Sequence, residues 1–460
     1  MNFLSHACKL YQIGMAIGIK TNFIQQKEKT MKTIIKELSV SRIFLQAIFI
    51  AIAAMTVSTA RAEFTKLHDF GVISSDGRSP YYVTPVTDGT HIYGTTRYGG
   101  VVDHGTVFRM NIDGTGYLNL HSFAGGAANG MNPLAGLTLS NGVLYGTTLS
   151  GGSNNYGIIF KIGTNGNNYT KMHEFSGGVN DGGGPQARLL LSGSTLYGTT
   201  RDGGDLNIGV IFKIDTDGSN YAVLHEFMGG NNDGSEPIGG LILSGGSLYG
   251  MTTIGGSNDY GVIFKIDTDG NNFTNIHSFA GVPEGEYPYG ELTSYGGALY
   301  GMTSDGGSSD YGAIFRINPD GSGYTNVYNF SAYSFDGQDP YGHLTLHNGS
   351  FYGLTPFGGM NSGGIIFRMD IDGSSFTNLH SFHSSADGSD PRGSLLEIAD
   401  YFYGFTSSGG ADNYGIAFEY TDIPEPVGIW IVGLLECWII VKRHKRVPGE
   451  CPGQTSNVKL

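Results

Sequence analysis

The chain has 460 residues and a formal net charge of −14, and its 75 glycines far exceed the usual share of about 7%. Aromatic residues make up 12% of the chain, so the glycines indicate turns rather than disorder. Residues 63–422 carry 35 Asp and Glu against 13 Lys and Arg, a net charge of −22 that repels phosphate backbones and excludes nucleic acid as a partner. All three cysteines lie outside this segment, which excludes disulfides and thiolate metal sites from it.

The first predicted element is a secretory signal peptide over residues 31–62. Basic residues precede the apolar run 43–57, and an Ala-x-Ala cleavage site at Ala60 and Ala62 follows it. The run is shorter than the roughly 20 residues of a membrane-spanning helix, and an uncleaved anchor is the alternative. Met31 stands where a signal peptide normally begins, so we interpret residues 1–30 as a non-native extension. N-terminal sequencing of a precursor that begins at Met1 would contradict this hypothesis.

A motif of the type Leu-Tyr-Gly-Thr-Thr, followed closely by Gly-Gly, recurs seven times between residues 63 and 422. Its tyrosines are 51 or 52 residues apart, which indicates one supersecondary unit copied seven times. These tyrosines are Tyr93, Tyr145, Tyr197, Tyr249, Tyr300, Tyr352 and Tyr403.

One unit contains four predicted strands, at residues 241–243, 247–252, 261–266 and 272–279. Each is rich in β-branched and aromatic residues, and Gly, Asn, Asp and Ser separate them. The third strand is apolar on both faces, so another layer must cover each side of it. Four strands in a period near 50 residues predict an all-β fold, a β-propeller whose blades pack face to face.

The two ends of the repeat array complement each other. A Leu-His-x-Phe strand occurs seven times, but its first copy precedes any Leu-Tyr-Gly strand and the last unit lacks one. We therefore predict seven blades, with residues 63–70 completing the blade formed by residues 394–420. Closure of the ring also removes the exposed sheet edge that a linear array would leave. A β-helix fits worse, because its rungs are about half this length.

Four motifs recur in fixed order: Leu-Tyr-Gly-Thr-Thr-x-x-Gly-Gly, Gly-x-Ile-Phe-Lys-Ile, an Asp-Gly turn and Leu-His-x-Phe. Together they resemble the Gloeobacter/Verrucomicrobia-type tandem repeat of bacterial exported proteins, over roughly residues 63–420. The resemblance implies a secreted repeat protein with an interchangeable C-terminal anchor. Kelch propellers look similar but place Trp in the fourth strand, whereas this position is aromatic without Trp here.

The C-terminal segment 423–446 contains Pro424, Glu425 and Pro426, the apolar run 427–441 and a basic cluster. It resembles the PEP-CTERM sorting signal, which implies an exosortase-type processing enzyme as a partner and a membrane helix. Glu436 and the tail 447–460 depart from that pattern. A plain C-terminal membrane anchor is therefore the alternative, with the basic cluster cytoplasmic in both cases.

Two repeated groups of polar residues raise the question of metal binding. Histidine occupies one repeat position in every unit but one, yet equivalent positions of a seven-bladed ring lie on too wide a circle to share an ion. We expect these side chains to form hydrogen bonds between blades. The Asp-x-Asp-Gly turns at 215–218, 267–270 and 370–373 resemble the start of a calcium loop, but a hairpin turn whose Asp bonds its own backbone explains them. We expect no cofactor, with calcium as the alternative. The histidine position is occupied by His68, His121, His173, His225, His277, Tyr328 and His380.

Residues that break the repeat are the candidates for a binding site. Every connection between blades contains an acidic or amide residue, Gly, two spacers and Pro, and the seven copies could also form an acidic collar at one rim. Loops on a rigid scaffold are the usual location of sites, and the departures from the consensus fall in these connections. They are Arg78, Tyr81, Tyr82, Arg188, Glu284, Glu286, Tyr287 and Arg392. No catalytic residue can be assigned from spacing.

The sequence thus predicts an exported, membrane-anchored surface protein, monomeric, that acts as a non-enzymatic binding or structural module. Its expected partner is a glycan or protein of the cell envelope or extracellular matrix. The alternative is a polysaccharide lyase or hydrolase with its site at one end of the propeller axis. That alternative requires non-repeated Arg, Tyr, Glu or His in one central depression. A purely architectural spacer is the third possibility.

Overall fold

The computed structural model describes residues 63–72, 75–127, 129–331 and 335–422. These ranges contain 38 β-strands and one four-residue helix, α1 (Ser384–Asp387). Seven four-stranded antiparallel sheets form a ring, which is a seven-bladed β-propeller. The predicted signal peptide and C-terminal sorting signal lie outside the described residues. Among the residues that the structure describes, no helix is both long and apolar enough to cross a membrane.

Strands are numbered along the chain, and many are only two or three residues long. Their bounds are β1 (Glu63–Asp69), β2 (Gly77–Arg78), β3 (Val86–Thr87), β4 (His91–Thr96), β5 (Tyr98–Gly99), β6 (Thr106–Asn111), β7 (Leu118–Ser122), β8 (Gly130–Met131), β9 (Thr138–Ser140), β10 (Val143–Thr148), β11 (Ser150–Gly151), β12 (Ile158–Gly163), β13 (Thr170–Glu174), β14 (Gly182–Gly183), β15 (Leu190–Ser192), β16 (Thr195–Thr200), β17 (Asp202–Gly203), β18 (Val210–Asp215), β19 (Ala222–Glu226), β20 (Gly234–Ser235), β21 (Ile242–Ser244), β22 (Ser247–Thr252), β23 (Ile254–Gly255), β24 (Val262–Asp267), β25 (Thr274–Ser278), β26 (Thr293–Tyr295), β27 (Ala298–Thr303), β28 (Ala313–Ile317), β29 (Thr325–Asn329), β30 (Gly337–Gln338), β31 (Thr345–His347), β32 (Ser350–Thr355), β33 (Phe357–Gly358), β34 (Ile365–Asp370), β35 (Thr377–Ser381), β36 (Leu396–Ile398), β37 (Tyr401–Phe405) and β38 (Ile416–Thr421).

In blades 1 to 6 the strand order follows the chain from the axis outward, whereas in blade 7 the outermost strand is β1, the first of the chain. The orders are β3-β4-β6-β7 in blade 1, β9-β10-β12-β13 in blade 2, β15-β16-β18-β19 in blade 3, β21-β22-β24-β25 in blade 4, β26-β27-β28-β29 in blade 5, β31-β32-β34-β35 in blade 6 and β36-β37-β38-β1 in blade 7. Two tight hairpins in each of blades 1 to 6, and one in blade 7, lie on one face of the ring, which we call the hairpin face. The connections between blades and the loops between second and third strands lie on the other, the connection face.

The apolar core lies between blades. Val262, Ile263 and Phe264 on the third strand of blade 4 are all fully buried, as their uninterrupted apolar sequence predicts. Tyr249, on the second strand of the same blade, packs with Phe315 of blade 5. The repeated tyrosine is thus a core residue between neighbouring blades.

The ring is closed by the N-terminal strand, as predicted. Strand β1 pairs antiparallel with β38, from Glu63 opposite Thr421 to Asp69 opposite Ile416. Phe70, just after β1, is fully buried and packs in one cluster with Phe108 of blade 1 and Phe405 of blade 7. Strands from both ends of the propeller therefore complete its last blade.

In five blades the repeated histidine meets the carboxylate of the following connection at the outer strand, whereas in blade 1 His121 meets Asn129 and in blade 5 Tyr328 meets Asp336. On the outer strand of blade 2, His173 Nε2 lies 3.1 Å from Asp181 Oδ1, and the imidazole stacks on Tyr221 of blade 3 with ring centroids 3.7 Å apart. Tyr221 also donates to Asp181 at 2.8 Å. Burial by itself raises the pKa of Asp181, but bonds from His173, Ser176 and Tyr221 outweigh it and lower the pKa to about 2. These carboxylates are bonded to outer strands, so they do not surround the axis.

Replacement of Gly250 by Val is expected to lower the free energy of unfolding by about 2 kcal/mol or more, because the core cannot accept the added side chain. A Cβ atom at Gly250 would lie 2.5 Å from Phe264 Cζ and 2.8 Å from Leu241 Cδ2. Gly178→Val is the matched control, since a Cβ atom there meets only Ser176 Oγ, at 3.8 Å. Thermal unfolding measures both variants. Equal melting temperatures for Gly250→Val and the unaltered protein would contradict the placement of this residue.

Candidate functional site

The asymmetric part of the propeller lies on its axis. In each connection the chain turns at a proline and then begins the innermost strand, and the positions one and three residues after the proline differ from blade to blade. At the first position stand Tyr81, Leu134, Gln186, Ile238, Tyr289, Tyr341 and Arg392. At the third stand Arg188, Gly240, Glu291, His343 and Ser394 in blades 3 to 7. Most of these residues line one small axial depression of about 40 Å³.

The mouth of the axis, on the connection face, consists of Tyr82, Tyr289, Tyr341 and Arg392. Tyr341 lies between the other two tyrosines, with ring centroids 4.6 Å from Tyr289 and 6.0 Å from Tyr82. Burial raises the pKa of Tyr289 and of Tyr341 to about 12, so both phenols stay protonated at neutral pH. The mouth therefore offers aromatic surface with neutral hydroxyl groups.

A row of alternating aromatic rings and guanidinium groups extends from the mouth across blades 6, 7 and 1. We call it the ladder, and it consists of Tyr98, Arg97, Tyr81, Arg392 and Phe357. The guanidinium carbon of Arg97 lies 5.0 Å from the Tyr98 centroid and 5.1 Å from the Tyr81 centroid. That of Arg392 lies 4.8 Å from Tyr81 and 5.6 Å from Phe357. Each distance is within the range of a cation–π contact.

Below the mouth, Arg188, Glu291 and His343 form a constriction that we call the throat. Arg188 Nη2 donates to Glu291 Oε2 at 3.0 Å. The pair spans blade 4, whose residue at this position is Gly240; a Cβ atom there would lie 2.4 Å from Glu291 Oε1. Burial alone would raise the pKa of Glu291, but Arg188 and, less strongly, His343 outweigh it and hold the pKa below its ordinary value. The throat therefore contains an ionised pair.

His343 is held on the opposite side of the throat by blade 7. Its Nδ1 lies 2.9 Å from Ser394 Oγ, which also accepts the backbone N–H of His343 at 2.8 Å. Burial lowers the pKa of His343, although Glu291 opposes the shift, so the imidazole is neutral at neutral pH. The throat thus combines a neutral base with an ion pair.

A second cavity, of about 600 Å³, lies beyond the throat. Leucines such as Leu139, Leu346 and Leu396 line it together with five threonines and Glu397, and the three throat residues form one end. Its volume lies within the range of about 300–1,000 Å³ that is usual for small-ligand sites, but its lining is more polar than theirs. The axis therefore offers a shallow mouth and a larger cavity, joined at Arg188, Glu291 and His343.

The side of the mouth near blades 5 and 6 is acidic. Burial, together with the carboxylates of Asp305 and Asp310, raises the pKa of Asp339 to about 6. Burial and Asp310 also raise the pKa of Glu286. The mouth is therefore electrostatically polarised, with guanidinium groups on blades 7 and 1 opposite carboxylates on blades 5 and 6.

The sequence matches the family described as Gloeobacter/Verrucomicrobia repeat over residues 53–207, 178–338 and 328–425. The chain belongs to this family. Among curated proteins, none matches the sequence.

Solved structures resemble this repeat-family chain in fold alone. A structure of oligogalacturonate lyase in complex with manganese is 12% identical, with a TM-score of 0.50 over 81% of this chain and 99% of that chain. A chain of a nidogen/laminin complex is 16% identical, with a TM-score of 0.38 over 62% and 91% of the two chains. TolB from Acinetobacter baumannii is 13% identical, with a TM-score of 0.39 over 64% of each. The similarity to the lyase structure accords with the propeller fold, and none of these similarities assigns an activity.

The structure brings four of the eight candidate residues of this Gloeobacter/Verrucomicrobia repeat protein to the axis. Tyr82 and Arg392 belong to the mouth, Tyr81 to the ladder and Arg188 to the throat. The other four lie elsewhere on the connection face, and their contacts follow. Arg78 bonds Asp103 and lies over Tyr414, Glu284 bonds His277, Glu286 lies beside Asp305 and Asp310, and Tyr287 contacts Tyr260.

Sequence reasoning did not identify Tyr289, Glu291, Tyr341 or His343. All four occupy the same two positions after Pro288 or Pro340 that Arg188 and Arg392 occupy after their own prolines. An alignment of the seven connections on their prolines would have shown this. The signal that identifies these four residues is thus their position after the proline and not their residue type.

The repeated carboxylates are bonded within their own turns. Asp217 accepts the backbone N–H and hydroxyl of Ser219 at 2.8 and 2.6 Å, and Asp215 accepts Asn220 Nδ2 at 2.7 Å. In the part of the chain that the structure describes, no group of three His, Cys, Asp or Glu is arranged to hold a metal ion. The turn geometry explains the Asp-x-Asp-Gly pattern without a ligand.

Asp339→Asn is expected to stabilise the protein at neutral pH. Because the pKa of Asp339 is raised on folding, the stability linked to its proton is fully present below about pH 4 and is lost as the pH rises through about 6. An uncharged Asn avoids this loss, so the variant should be more stable by about 1 kcal/mol at neutral pH and no more stable below about pH 4. Thermal unfolding as a function of pH measures the difference. Asp372→Asn, at an exposed turn carboxylate with a lowered pKa, is the control and should show no such gain.

Proposed function

We propose that this protein is a carbohydrate-binding propeller of the bacterial cell surface and that its glycan lies across the mouth and the ladder. The observation that carries the proposal is the convergence of non-repeated tyrosines and arginines at one end of the axis, while the rest of the ring repeats. A binding site needs such asymmetry, because equivalent residues in all blades would present the same chemistry in seven directions.

The chemistry of the ladder supports a sugar ligand. Tyr and Arg combine a flat apolar surface with hydrogen-bonding groups, which is why they dominate binding energy at protein surfaces. A sugar has apolar C–H faces and polar edges, so it matches rings such as Tyr81 and Phe357 together with the guanidinium of Arg392. The ladder residues are only partly exposed and are fixed by one another, so binding costs little side-chain entropy.

The shape of the site favours a chain of sugars over a folded protein partner. A stable protein interface buries about 800 Å² on each partner, usually over a broad patch. The mouth is concave and narrow, and its depression of about 40 Å³ is too small to enclose a sugar ring. An oligosaccharide that lies along the ladder, with one edge over the depression, fits both the narrow mouth and the small volume of the depression.

Export and surface attachment belong to the same proposal. The predicted signal peptide 31–62 and the sorting signal at Pro424, Glu425 and Pro426 support it. The glycan would then be one of the envelope or extracellular matrix. Labelling of intact cells that finds this chain only inside them would contradict the proposed location.

A polysaccharide lyase or hydrolase is the second candidate, and the throat favours it. Arg188, Glu291 and His343 are not repeated, and they meet a cavity of about 600 Å³. A neutral histidine beside an ion pair is suited to proton transfer. Release of new chain ends from polysaccharides, abolished in His343→Ala and retained in His347→Ala, is the expected result for an enzyme. Intact polysaccharide after incubation with the unaltered protein would exclude this candidate.

The binding proposal predicts that Tyr81→Ala weakens glycan affinity by about tenfold or more, because Tyr81 joins the two guanidinium groups of the ladder. A glycan array with the full-length protein identifies the ligand, and calorimetry measures the change in Kd. Tyr81→Phe keeps the ring and should retain most of the affinity. Tyr295→Ala is the matched control, since Tyr295 is 40% exposed but lies on the hairpin face. Equal affinity of Tyr81→Ala and the unaltered protein would contradict the proposed site.

A further inference from the structure

Arg97 is a cation of the ladder without a carboxylate partner. Its backbone is held by Ser79 O, which accepts the Arg97 N–H at 3.1 Å, and by Asn132 Nδ2, which donates to Arg97 O at 3.1 Å. Its Nε is buried, and among the described residues it has no hydrogen-bond acceptor. A buried donor without an acceptor costs about 1–3 kcal/mol, so the site is incomplete as the chain alone forms it.

The propeller contains an internal comparison for this arginine. Arg201 stands at the same repeat position in blade 3, directly after the Thr-Thr pair. Its Nε donates to Asp202 Oδ1 at 3.0 Å and its Nη2 to Asp202 Oδ2 at 2.7 Å. At the next position blade 1 has Tyr98 in place of an aspartate. The carboxylate that accepts the hydrogen bonds of Arg201 is therefore replaced by an aromatic ring beside Arg97.

The other arginines of the connection face are also paired. Arg78 bonds Asp103, and Arg392 Nε donates to Asp390 Oδ1 at 2.7 Å. Within the described residues, Arg97 is therefore the arginine of this face whose charge no carboxylate balances. Its guanidinium lies between two rings, Tyr81 and Tyr98, and Tyr98 is 37% exposed.

We propose that Arg97 binds the carboxylate of a uronic acid residue in the glycan, through the terminal nitrogens of its guanidinium group. This inference rests on the proposed function and names the class of sugar at that site. Tyr81 and Tyr98 flank the guanidinium and would contact the faces of the same sugar. The fork of donors on Arg matches a planar carboxylate, and such charge-assisted pairs are about twice as strong as neutral hydrogen bonds.

The negative charge of the propeller restricts how many carboxylates the glycan can carry. The repeat segment has a net charge of −22, and Asp305, Asp310 and Asp339 lie close together on blades 5 and 6. A chain with a carboxylate on every sugar would place some of them against these groups. A heteroglycan, in which one uronate stands among neutral sugars, satisfies Arg97 without that repulsion.

The test uses the full-length protein and three defined hexasaccharides, measured by calorimetry. The first has one glucuronate among neutral sugars, the second is the same chain with its carboxyl reduced to an alcohol, and the third is a homouronate. We expect the first to bind about 10- to 100-fold more tightly than the second and more tightly than the third. Higher ionic strength should diminish the preference for the first over the second.

Two variants locate the effect. Arg97→Gln should lower the affinity for the glucuronate chain to that for its carboxyl-reduced form, while Arg201→Gln should keep the preference. Equal affinity of the unaltered protein for the first two chains would overturn the inference, and this measurement needs no variant. So would a preference that survives in Arg97→Gln or that is lost equally in Arg201→Gln.

The possible failures are distinguishable from those of the proposed function. Binding of neutral chains without any preference for the carboxylate leaves the carbohydrate site in place and removes the role of Arg97. Failure of every glycan to bind, or binding of acidic peptides instead, overturns both.

Discussion

Every blade has a third strand that is apolar on both faces, and this constraint determines the rest of the structure. Phe264 and its neighbours can be buried only if a second blade lies on each side of the sheet. A linear stack would expose one face at each end and leave an unpaired strand edge. A closed ring removes both, and the pairing of β1 with β38 closes it with strands from opposite ends of the repeat segment. The blades thus form a rigid scaffold for the connections.

The repeated residues make the ring tight at its axis. At Gly239, Gly290, Gly342 and Gly393, a Cβ atom would lie 2.0 to 2.3 Å from a backbone carbonyl oxygen of the next blade. Neighbouring backbones are therefore in direct contact, which leaves little open space at this level of the axis. Only the side chains one position before and after these glycines can vary. Repetition builds the scaffold, and the site occupies the two positions that packing leaves free.

This division explains what could be predicted from the sequence. The blade number, the strand order and the closure depend on periodicity and on the orphan strand, which are visible without a structure. The candidate site was only half predictable: Tyr82, Arg188 and Arg392 were found as departures from the repeat, whereas Glu291 and His343 were not. Spacing does not reveal that the chain turns at the proline, so that residues before it face the rim and residues after it face the axis.

The acidic surface of the propeller and the cations of the ladder act on a ligand at different distances. At physiological ionic strength, exposed charges are screened beyond about 8 Å, so the net charge of the segment acts weakly on a ligand already at the mouth. Under the proposed function, contacts with Arg97, Arg392 and the flanking rings then determine the affinity for the glycan. The acidic surface instead acts on encounter, where it repels densely charged polymers before they reach the ladder. A sparse arrangement of cations in an acidic ring therefore discriminates by charge density, whereas a uniformly basic surface would bind any polyanion.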